Sequence, residues 1–387
     1  MDSMLENAVK VLNVFNDNGY EAYIVGGFVR DYLLGVESHD IDITTNCPYE
    51  LILTLFKSGF KKSDKYKTAV VRMNGFEYEV TPYRAEEGYT DHRHPDVKVA
   101  SSLIEDLKRR DFTINAMCLD KDLKVIDLVG GEKDLKKKII RTVGKPNERF
   151  FEDALRMFRA FRFASRLNFK IERKTLKAIN KNSYLSAKIS KERIYDELSK
   201  SLNTEHFKSN LKIMLKSGLY EPYPEIENAL NILSLNYNKI NIVELLSLAS
   251  YISLHQNEEL LLSKKEQILI KKSCEYMKLI ENKKINKIDL LDLDIDALKV
   301  SYKIARILLL STVKYDSLIK IYEELPIKSR KEYDLNGSII LKVFNLKPSP
   351  IVKEYLDIGL DGVVNKGIEN NKYKITEYIK EVISKNV

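Results

Sequence analysis

YIVGGFVRDYLLGVESHDIDIT, residues 23–44, places two glycines after one apolar run and two aspartates, one residue apart, inside another. Such runs, rich in Val, Ile and Tyr and closed by Gly, predict two strands joined through a short helix. Because strand side chains alternate between faces, Asp40 and Asp42 are expected on one face and their isoleucine neighbours on the other. Two carboxylates this close repel each other, so their placement indicates binding rather than stabilisation.

A metal site would explain the paired carboxylates, because carboxylate oxygens are the ligands that Mg²⁺ prefers. The segment YEV, on a later predicted strand, supplies a third acid, Glu79. Glu77 lies on the same strand face and is the alternative for this third position. Three carboxylates can hold two metal ions that activate an attacking hydroxyl and stabilise a leaving pyrophosphate.

The glycine pair, Gly26 and Gly27, ends a predicted strand and precedes a short predicted helix that carries Arg30. Glycines let backbone N–H groups approach phosphate oxygens, and the start of a helix adds favourable partial charge. A tight turn with no ligand is the alternative interpretation. The aspartate pair that follows favours a phosphate-binding turn.

The chain divides into an α/β part and a helical part. Strand and helix patterns mix in residues 1–145, whereas a 3.6-residue periodicity dominates from Pro146 onwards. This predicts an α+β protein with an α/β head followed by an all-helical remainder. Weaker breaks divide that remainder into a neck at 146–205, a body at 206–285 and a tail at 286–387.

Bulk properties exclude several classes of protein. A chain of 387 residues predicts about two to four domains. It contains no apolar run of membrane-spanning length, and its first residues lack the basic-then-apolar pattern of a signal peptide. Its three cysteines are too few and too scattered for a disulfide framework or a zinc site. A cytoplasmic protein without a membrane partner is expected.

Positive charge is concentrated in one segment. The chain has a net charge of +8, and residues 145–200 contain 15 lysines and arginines against seven acidic residues. A basic segment in an otherwise balanced chain indicates a polyanion partner, either nucleic acid or nucleotide phosphate. A solvated, lysine-rich helix face is the alternative.

The stretch FEDALRMFRAFRFASRL is predicted to form one amphipathic helix with a polar half that carries Asp153, Arg156, Arg159 and Arg162. An ionised Asp only accepts hydrogen bonds, and an Arg only donates them. At positions i and i+3, Asp153 and Arg156 would match the Watson–Crick edges of cytosine and adenine and clash with those of uracil and guanine. A helix with an arginine-rich solvent face is the alternative.

Six motifs occur in order: GGFVRD, HDIDI, EVTPYR, LKRRDFTINAM, DLVGG and ERFFEDALRMFRAFRFASRL. Together they resemble the bacterial class II tRNA nucleotidyltransferases, which are the CCA-adding enzymes, and the related bacterial poly(A) polymerases. The resemblance is dense over residues 20–200. It continues weakly into the tail.

The resemblance implies a polymerase-β-like nucleotidyltransferase head. It implies template-independent addition of C, C and A to the 3′ end of tRNA from CTP and ATP, with Mg²⁺ as the cofactor and release of pyrophosphate. Arg110 looks like the triphosphate-binding arginine of the family, and Arg159 and Arg162 would contact the nucleotide. Asp153 and Arg156 would act as the template for the incoming base. Oligomeric state is not predicted.

Poly(A) addition, or addition of only A or only CC to tRNA, remains the alternative, because the relatives share most of these motifs. The long polar connection between Glu79 and Arg109 favours complete CCA addition, since in the family this loop helps the enzyme to switch from C to A. An ordinary surface loop is the other interpretation of this connection.

Overall fold

The computed structural model describes residues 2–56, 60–63, 67–89, 95–99, 102–253, 262–282 and 286–385. The chain forms two compact units, Met1–Glu227 and Asn228–Val387. The predicted boundaries between head, neck, body and tail stay predictions. Within the described ranges, every helix is too short or too polar to span a lipid bilayer.

The first unit contains all the described strands. In chain order these are β1 Ala22–Val25, β2 Asp42–Thr45, β3 Phe60–Ser63, β4 Thr68–Met73, β5 Phe76–Pro82, β6 Arg84–Tyr89, β7 Pro95–Val99, β8 Cys118–Leu119, β9 Val125–Ile126, β10 Ile139–Ile140 and β11 Lys170–Ile171. Seven of them form one mixed sheet in the order β3-β4-β5-β2-β1-β8-β9. Strand β2 lies antiparallel to β1 and parallel to β5 at the centre of this sheet.

Helices cover the sheet and continue beyond it. They are α1 Asp2–Asp17, α2 Gly27–Leu33, α3 Tyr49–Leu55, α4 Leu103–Lys108, α5 Gly131–Lys136, α6 Pro146–Glu152, α7 Leu155–Leu167, α8 Arg173–Asn182, α9 Lys191–Leu202 and α10 Phe207–Lys216, with 3₁₀ turns at Thr113–Asn115 and Ser183–Lys188. Helix α1 buries Leu5, Ala8, Leu12 and Phe15, whose three- and four-residue spacing gives the helix one apolar stripe.

Five segments of the head have sequence patterns that predict strands: AYIVGG, HDIDITT, AVVRMNG, FEYEVTPY and KVIDLVGG. The first four are present as β1, β2, β4 and β5, but KVIDLVGG contributes only the two residues of β9. Its strand stops because the Asp127 carboxylate accepts hydrogen bonds from four successive backbone N–H groups, of residues 129–132, which turns the chain. Part of the connection predicted as a loop is an antiparallel hairpin of β6 and β7. Its polar sequence lacks the apolar alternation that would have predicted strands.

The second unit is helical throughout its described residues. Its helices are α11 Pro224–Leu235, which begins in the first unit, α12 Ile242–Ser253, α13 Lys264–Asn282, α14 Ile295–Ile307, α15 Tyr315–Glu323, α16 Gly337–Val343, α17 Pro350–Lys366 and α18 Lys372–Lys385, with 3₁₀ turns at Lys287–Leu290 and Arg330–Glu332. Ion pairing between Glu244 and Lys303 links α12 to α14. The α/β head and helical remainder predicted from sequence are therefore confirmed, with the short strand β11 as an interruption.

Candidate active site

The glycine turn brings an acid and an arginine together. Gly26 has φ 79° and ψ −141°, a conformation that side chains other than glycine rarely adopt, and it ends the turn into α2. A Cβ atom at this position would lie 3.3 Å from Asp42 Oδ2 and 3.6 Å from Arg110 Nη1. Glycine therefore keeps open the space where these two opposite charges face the turn.

The three predicted metal ligands do not share one cavity. Asp42 begins β2, is half-buried and is the register neighbour of Glu79 on β5. Asp40 precedes the strand, is exposed and lines a separate cavity of about 490 Å³ with Glu79 and Glu77. Among the described residues no group of three acids, histidines or cysteines has metal-binding geometry.

Position in the sheet separates the two candidates for the third carboxylate. Glu79 stands opposite Asp42 in the parallel pair of strands. Glu77 stands two residues away and forms an exposed ion pair with Arg72 at 2.7 Å. The geometry therefore favours Glu79 as the neighbour of Asp42.

Arg30 lies in the wall of the site with 1% of its surface exposed. Its Nε and Nη2 donate to the Asp31 carboxylate at 2.8 and 2.9 Å, and its Nη1 donates to Asn115 Oδ1 at 2.6 Å. Arg166 binds the same Asp31 carboxylate at 3.1 Å. Each of the three guanidinium nitrogens of Arg30 therefore donates a hydrogen bond to another side chain of the protein.

Asp111 joins this wall to the helix α7. Its Oδ2 accepts from Nε and Nη2 of Arg159 at 2.8 and 2.6 Å, and its Oδ1 accepts from the Phe112 N–H at 2.7 Å. Burial alone would raise the pKa of the Asp111 carboxyl, but the charge of Arg159 and these hydrogen bonds outweigh burial and hold the pKa below its usual value. Asp111 is therefore a charged partner of Arg159.

Glu197, from the helix α9, is buried and forms ion pairs with Arg162 at 2.6 Å and with Arg159 at 3.5 Å. The guanidinium carbon of Arg162 lies 4.2 Å from the centre of the Phe163 ring, and that of Arg159 lies 5.3 Å from it. Acids and an aromatic face thus separate arginines that would otherwise repel one another.

The prediction of one continuous helix through Asp153 was wrong. Helix α6 ends at Glu152, Asp153 is extended with φ −140° and ψ 103°, and α7 begins two residues later. The Asp153 Oδ1 accepts a hydrogen bond from the Leu155 N–H at 3.1 Å, a bond that favours a helix start over a helix interior. Arg193 of α9 approaches the Asp153 carboxylate at 3.4 Å.

Arg156 is also held by the protein. Its Nη1 donates to Glu152 Oε2 at 2.7 Å and to the Arg149 carbonyl at 3.2 Å, while its Nη2 donates to the Arg109 carbonyl at 2.9 Å. The Asp153 carboxylate and the Arg156 guanidinium therefore have different partners in this structure.

All eight predicted nucleotide-binding residues line one cavity of about 460 Å³. Its lining comprises Gly26, Gly27, Arg30, Asp42, Arg109, Arg110, Asp111, Asn115, Asp153, Leu155, Arg156, Arg159, Arg162, Phe163, Arg166 and Arg193. Eight arginines against three aspartates make the cavity strongly positive, which suits a polyphosphate. Of the predicted residues, Asp40 and Glu79 lie outside this lining.

Comparison with known families accounts for most of the chain. Residues 22–141 match the family described as Poly A polymerase head domain, residues 168–230 match Probable RNA and SrmB- binding site of polymerase A, and residues 244–379 match tRNA nucleotidyltransferase domain 2 putative.

Similarity to individual proteins extends over the full length. The CCA-adding enzyme of Limosilactobacillus reuteri (strain DSM 20016) is 38% identical over 395 residues, covering 99% of this chain and 98% of the relative. The CCA-adding enzyme of Ligilactobacillus salivarius (strain UCC118) is also 38% identical, with the same coverage. This chain belongs to the CCA-adding enzyme family.

Solved structures of CCA-adding enzymes have the same fold. The crystal structure of the Bacillus stearothermophilus CCA-adding enzyme in complex with CTP is 30% identical, with a TM-score of 0.80 and complete coverage of both chains. The Thermotoga maritima CCA-adding enzyme complexed with tRNA_CCA, at 20% identity, has a TM-score of 0.64 and covers 97% of this chain and 95% of that one. The predicted family, enzyme class and nucleotidyltransferase head are confirmed, and the family implies use of a divalent metal.

Sequence reasoning missed several residues that complete the site of this CCA-adding enzyme family member. Arg193 and Glu197 belong to the segment SKERIYDELSK, whose pattern indicates only a capped helix. Phe163 could not be separated from the apolar core positions of α7, and Asp106 lies in the short helix α4. An acid at a buried helix position was the available signal for Asp106 and Glu197.

Proposed function

We propose that this chain adds C, C and A to the 3′ end of tRNA, using CTP and ATP as substrates and releasing pyrophosphate. The observation that carries the proposal is its similarity, over nearly its full length, to CCA-adding enzymes. The names of these relatives favour complete CCA addition over poly(A), A-only or CC-only addition. Such an enzyme acts in the cytoplasm, where tRNA and nucleoside triphosphates are found.

Asp42, Glu79 and Asp40 are the proposed ligands of the divalent metal, with Mg²⁺ as the ion. The adjacent strands pair Asp42 with Glu79, and Asp40 shares a cavity with Glu79. Carboxylates supply the hard oxygen ligands that Mg²⁺ prefers. When bound, the metal would activate the attacking 3′ hydroxyl and stabilise the negative charge of the leaving pyrophosphate.

The triphosphate is proposed to lie along the positive wall formed by Gly26, Gly27 and Arg110, with Arg159 and Arg162 beyond them. Gly26 leaves space beside Asp42 and Arg110, and α2 begins at the next residue. The start of a helix has unpaired backbone N–H groups that favour an anion. Arg30 contributes charge from behind Gly27, where its Nη2 lies 3.5 Å from the position of a Cβ. Its ion pair with Asp31 holds that charge in place.

Base selection is proposed to depend on Asp153 and Arg156, which line the same cavity. Asp153 lies between α6 and α7 and not inside a helix. Its carboxylate accepts a hydrogen bond from the Leu155 N–H and forms an ion pair with Arg193, and these two contacts orient it. Glu152 and two carbonyl groups direct Arg156. A base that presents a donor beside an acceptor would satisfy both side chains, and one that presents the reverse order would leave them unpaired.

The reaction products decide the proposed function. Transcripts of tRNA that end before CCA, or after CC, would be incubated with CTP, ATP or both in the presence of Mg²⁺ and resolved on a sequencing gel. Two C additions followed by one A and a stop are expected. A lengthening ladder with ATP alone would indicate a poly(A) polymerase, and addition of one nucleotide type only would indicate a single-specificity enzyme.

Arg156→Ala tests the proposed base selection. We expect the preference for CTP over UTP to fall by about tenfold or more, because the variant lacks the donor that rejects uracil. Steady-state incorporation of CMP and UMP into tRNA measures the ratio. Arg173→Ala, on the first residue of α8 and outside the cavity lining, is the control. A wild-type ratio in Arg156→Ala would contradict the proposal.

A further inference from the structure

Asp106, in the helix α4, is a buried acid with several donors around it. None of its surface is exposed. Oδ1 accepts from Arg109 Nε and Nη2 at 3.1 and 2.9 Å, and Oδ2 accepts from Arg110 Nε and Nη2 at 3.3 and 3.0 Å. Oδ1 also accepts a backbone hydrogen bond, from the Arg84 N–H at 3.2 Å.

These three partners belong to two different parts of the first unit. Arg109 and Arg110 line the cavity. Arg84 is the first residue of β6, which pairs with β7 in a two-stranded sheet that, among the described strands, is separate from the seven-stranded sheet. One carboxylate therefore contacts both the two cavity-lining arginines and the first residue of this hairpin.

The geometry fixes how Arg110 faces the cavity. Because Nε and Nη2 of Arg110 both point at Asp106, its Nη1 is the nitrogen directed towards the glycine turn, 3.6 Å from a Cβ at Gly26. The helix itself is anchored, since Leu107 packs against Val25 and Cys118 of the central sheet. A rotation of the Asp106 side chain would therefore move Arg110 relative to the turn.

The charge of the Asp106 carboxylate suits its contacts with both arginines. Burial alone would raise the pKa of the Asp106 carboxyl, but the charges of Arg110 and Arg109 and their hydrogen bonds outweigh it, so the pKa is lowered. An ionised carboxylate can accept from both guanidinium groups at once, whereas an amide at this position would turn one donor group against them.

We propose that Asp106 is a positioning residue that couples triphosphate binding at Arg110 to the hairpin of β6 and β7. It orients Arg110 for the phosphates. When phosphate binding moves Arg110, Asp106 transmits that movement to the hairpin through its hydrogen bond with the Arg84 N–H. This inference rests on the proposed function, because it assumes that Arg110 binds the triphosphate of CTP or ATP.

Three variants separate the two contacts of Asp106. Asp106→Asn weakens the bond to both arginines. Arg84→Pro keeps Asp106 and both arginines but removes the backbone N–H, at the first residue of a strand, where proline is tolerated. Arg84→Ala removes the same side chain but keeps the N–H, so it is the matched control for Arg84→Pro.

Two measurements are made on each full-length protein. The first is kcat and KM for CTP with a tRNA transcript that lacks CCA. The second is backbone hydrogen exchange of β6 and β7, residues 84–89 and 95–99, with and without CTP at a concentration that saturates each variant. We expect Asp106→Asn to raise the KM for CTP by about tenfold, with a smaller change in kcat.

CTP is expected to protect the hairpin amides in the wild type and in Arg84→Ala, and this protection should be lost in Asp106→Asn and Arg84→Pro. An unchanged KM in Asp106→Asn would overturn the positioning role, and a lower KM would show that Asp106 only shields positive charge. The coupling would be overturned if CTP left the hydrogen-exchange rates of the hairpin amides unchanged in the wild type. Equal protection in Arg84→Pro and Arg84→Ala would also overturn it.

The coupling can be tested even if Asp106→Asn misfolds or the proposed reaction does not occur. If Asp106→Asn does not fold, judged by circular dichroism, the Arg84→Pro and Arg84→Ala pair decides the coupling alone. If the wild type binds CTP but transfers nothing to tRNA, the proposed function fails while the exchange result still tests the coupling.

Discussion

At the residue scale, the backbone of Gly26 connects the fold to the chemistry of the site. Gly26→Ala should lower the free energy of unfolding by about 1–3 kcal/mol, because φ 79° with ψ −141° is strained for alanine. Transfer to tRNA should fall by more than about tenfold, since the new Cβ would lie 3.3 Å from Asp42 Oδ2. Steady-state kinetics and urea unfolding measure the two effects.

Gly19→Ala is the matched control for Gly26→Ala. Gly19 also has a positive φ, of 81°, but a Cβ there would have no neighbour within 4 Å. We therefore expect a loss of stability of about 1 kcal/mol with unchanged transfer. Equal activity in the two variants would show that the turn needs no free space beside Asp42.

The ion pair of the buried Asp111 and the partly exposed Arg159 should make stability depend on pH. The folded pKa of Asp111 lies below the value of about 3.9 expected in the unfolded chain, so the pair stabilises the protein above about pH 4 and loses its effect as the pH falls through the folded pKa. Asp111→Asn should lower the free energy of unfolding by about 3 kcal/mol at pH 7, and this difference should shrink below about pH 4.

Urea unfolding of the wild type and Asp111→Asn between pH 3 and pH 7 would measure this difference. Asp122→Asn, which changes a carboxylate with 75% of its side chain exposed, should show little difference at any pH. A gap between wild type and Asp111→Asn that stays constant down to pH 3 would contradict a lowered pKa.

At the scale of elements, the approach of α17 to α18 depends on glycine. A Cβ at Gly359 would lie 2.7 Å from Ile375 Cγ2 and would also collide with the Tyr333 hydroxyl. Gly359→Ala should therefore lower the free energy of unfolding of the second unit by about 1–3 kcal/mol, although alanine favours helices. Thermal unfolding with tRNA binding as a second readout would measure the effect.

Gly337→Ala provides the comparison, since the new Cβ would only contact Val352 at an ordinary 3.5 Å. Alanine at this first position of α16 should leave stability unchanged or raise it by up to about 1 kcal/mol. If both glycine variants behave alike, helix propensity rather than helix packing controls this pair of helices.

At the scale of the whole molecule, binding of tRNA and transfer to it should respond differently to removal of metal. The acids proposed to hold metal lie on β2, β5 and the segment before β2, whereas net positive charge is concentrated in residues 145–200. Excess EDTA should lower transfer by about a thousandfold and leave tRNA binding within about twofold, because phosphate contacts with lysine and arginine need no metal.

Gel analysis of transfer and filter binding of tRNA measure these two properties, and added Mg²⁺ should restore transfer. Loss of tRNA binding in EDTA, in parallel with activity, would show that metal supports the RNA complex instead of the reaction.

The sequence alone determined the central strands, the glycine turn, the helical remainder and the family. These features depend on local signals, namely alternation, helical periodicity, the unusual conformations open to glycine, and the order of short motifs. For the same reason, Gly26, Asp42 and Arg110 could be assigned to one site before their positions were known.

Only the tertiary structure decided which partners the site residues have. Arg30 is tied to Asp31 and Asn115, and Asp153 stands between two helices beside Arg193, a residue 40 positions away. Asp106 joins the cavity to a hairpin whose polar sequence gave no strand pattern. Ion pairs and hydrogen bonds between distant segments depend on burial and orientation, which a pattern of local sequence does not contain.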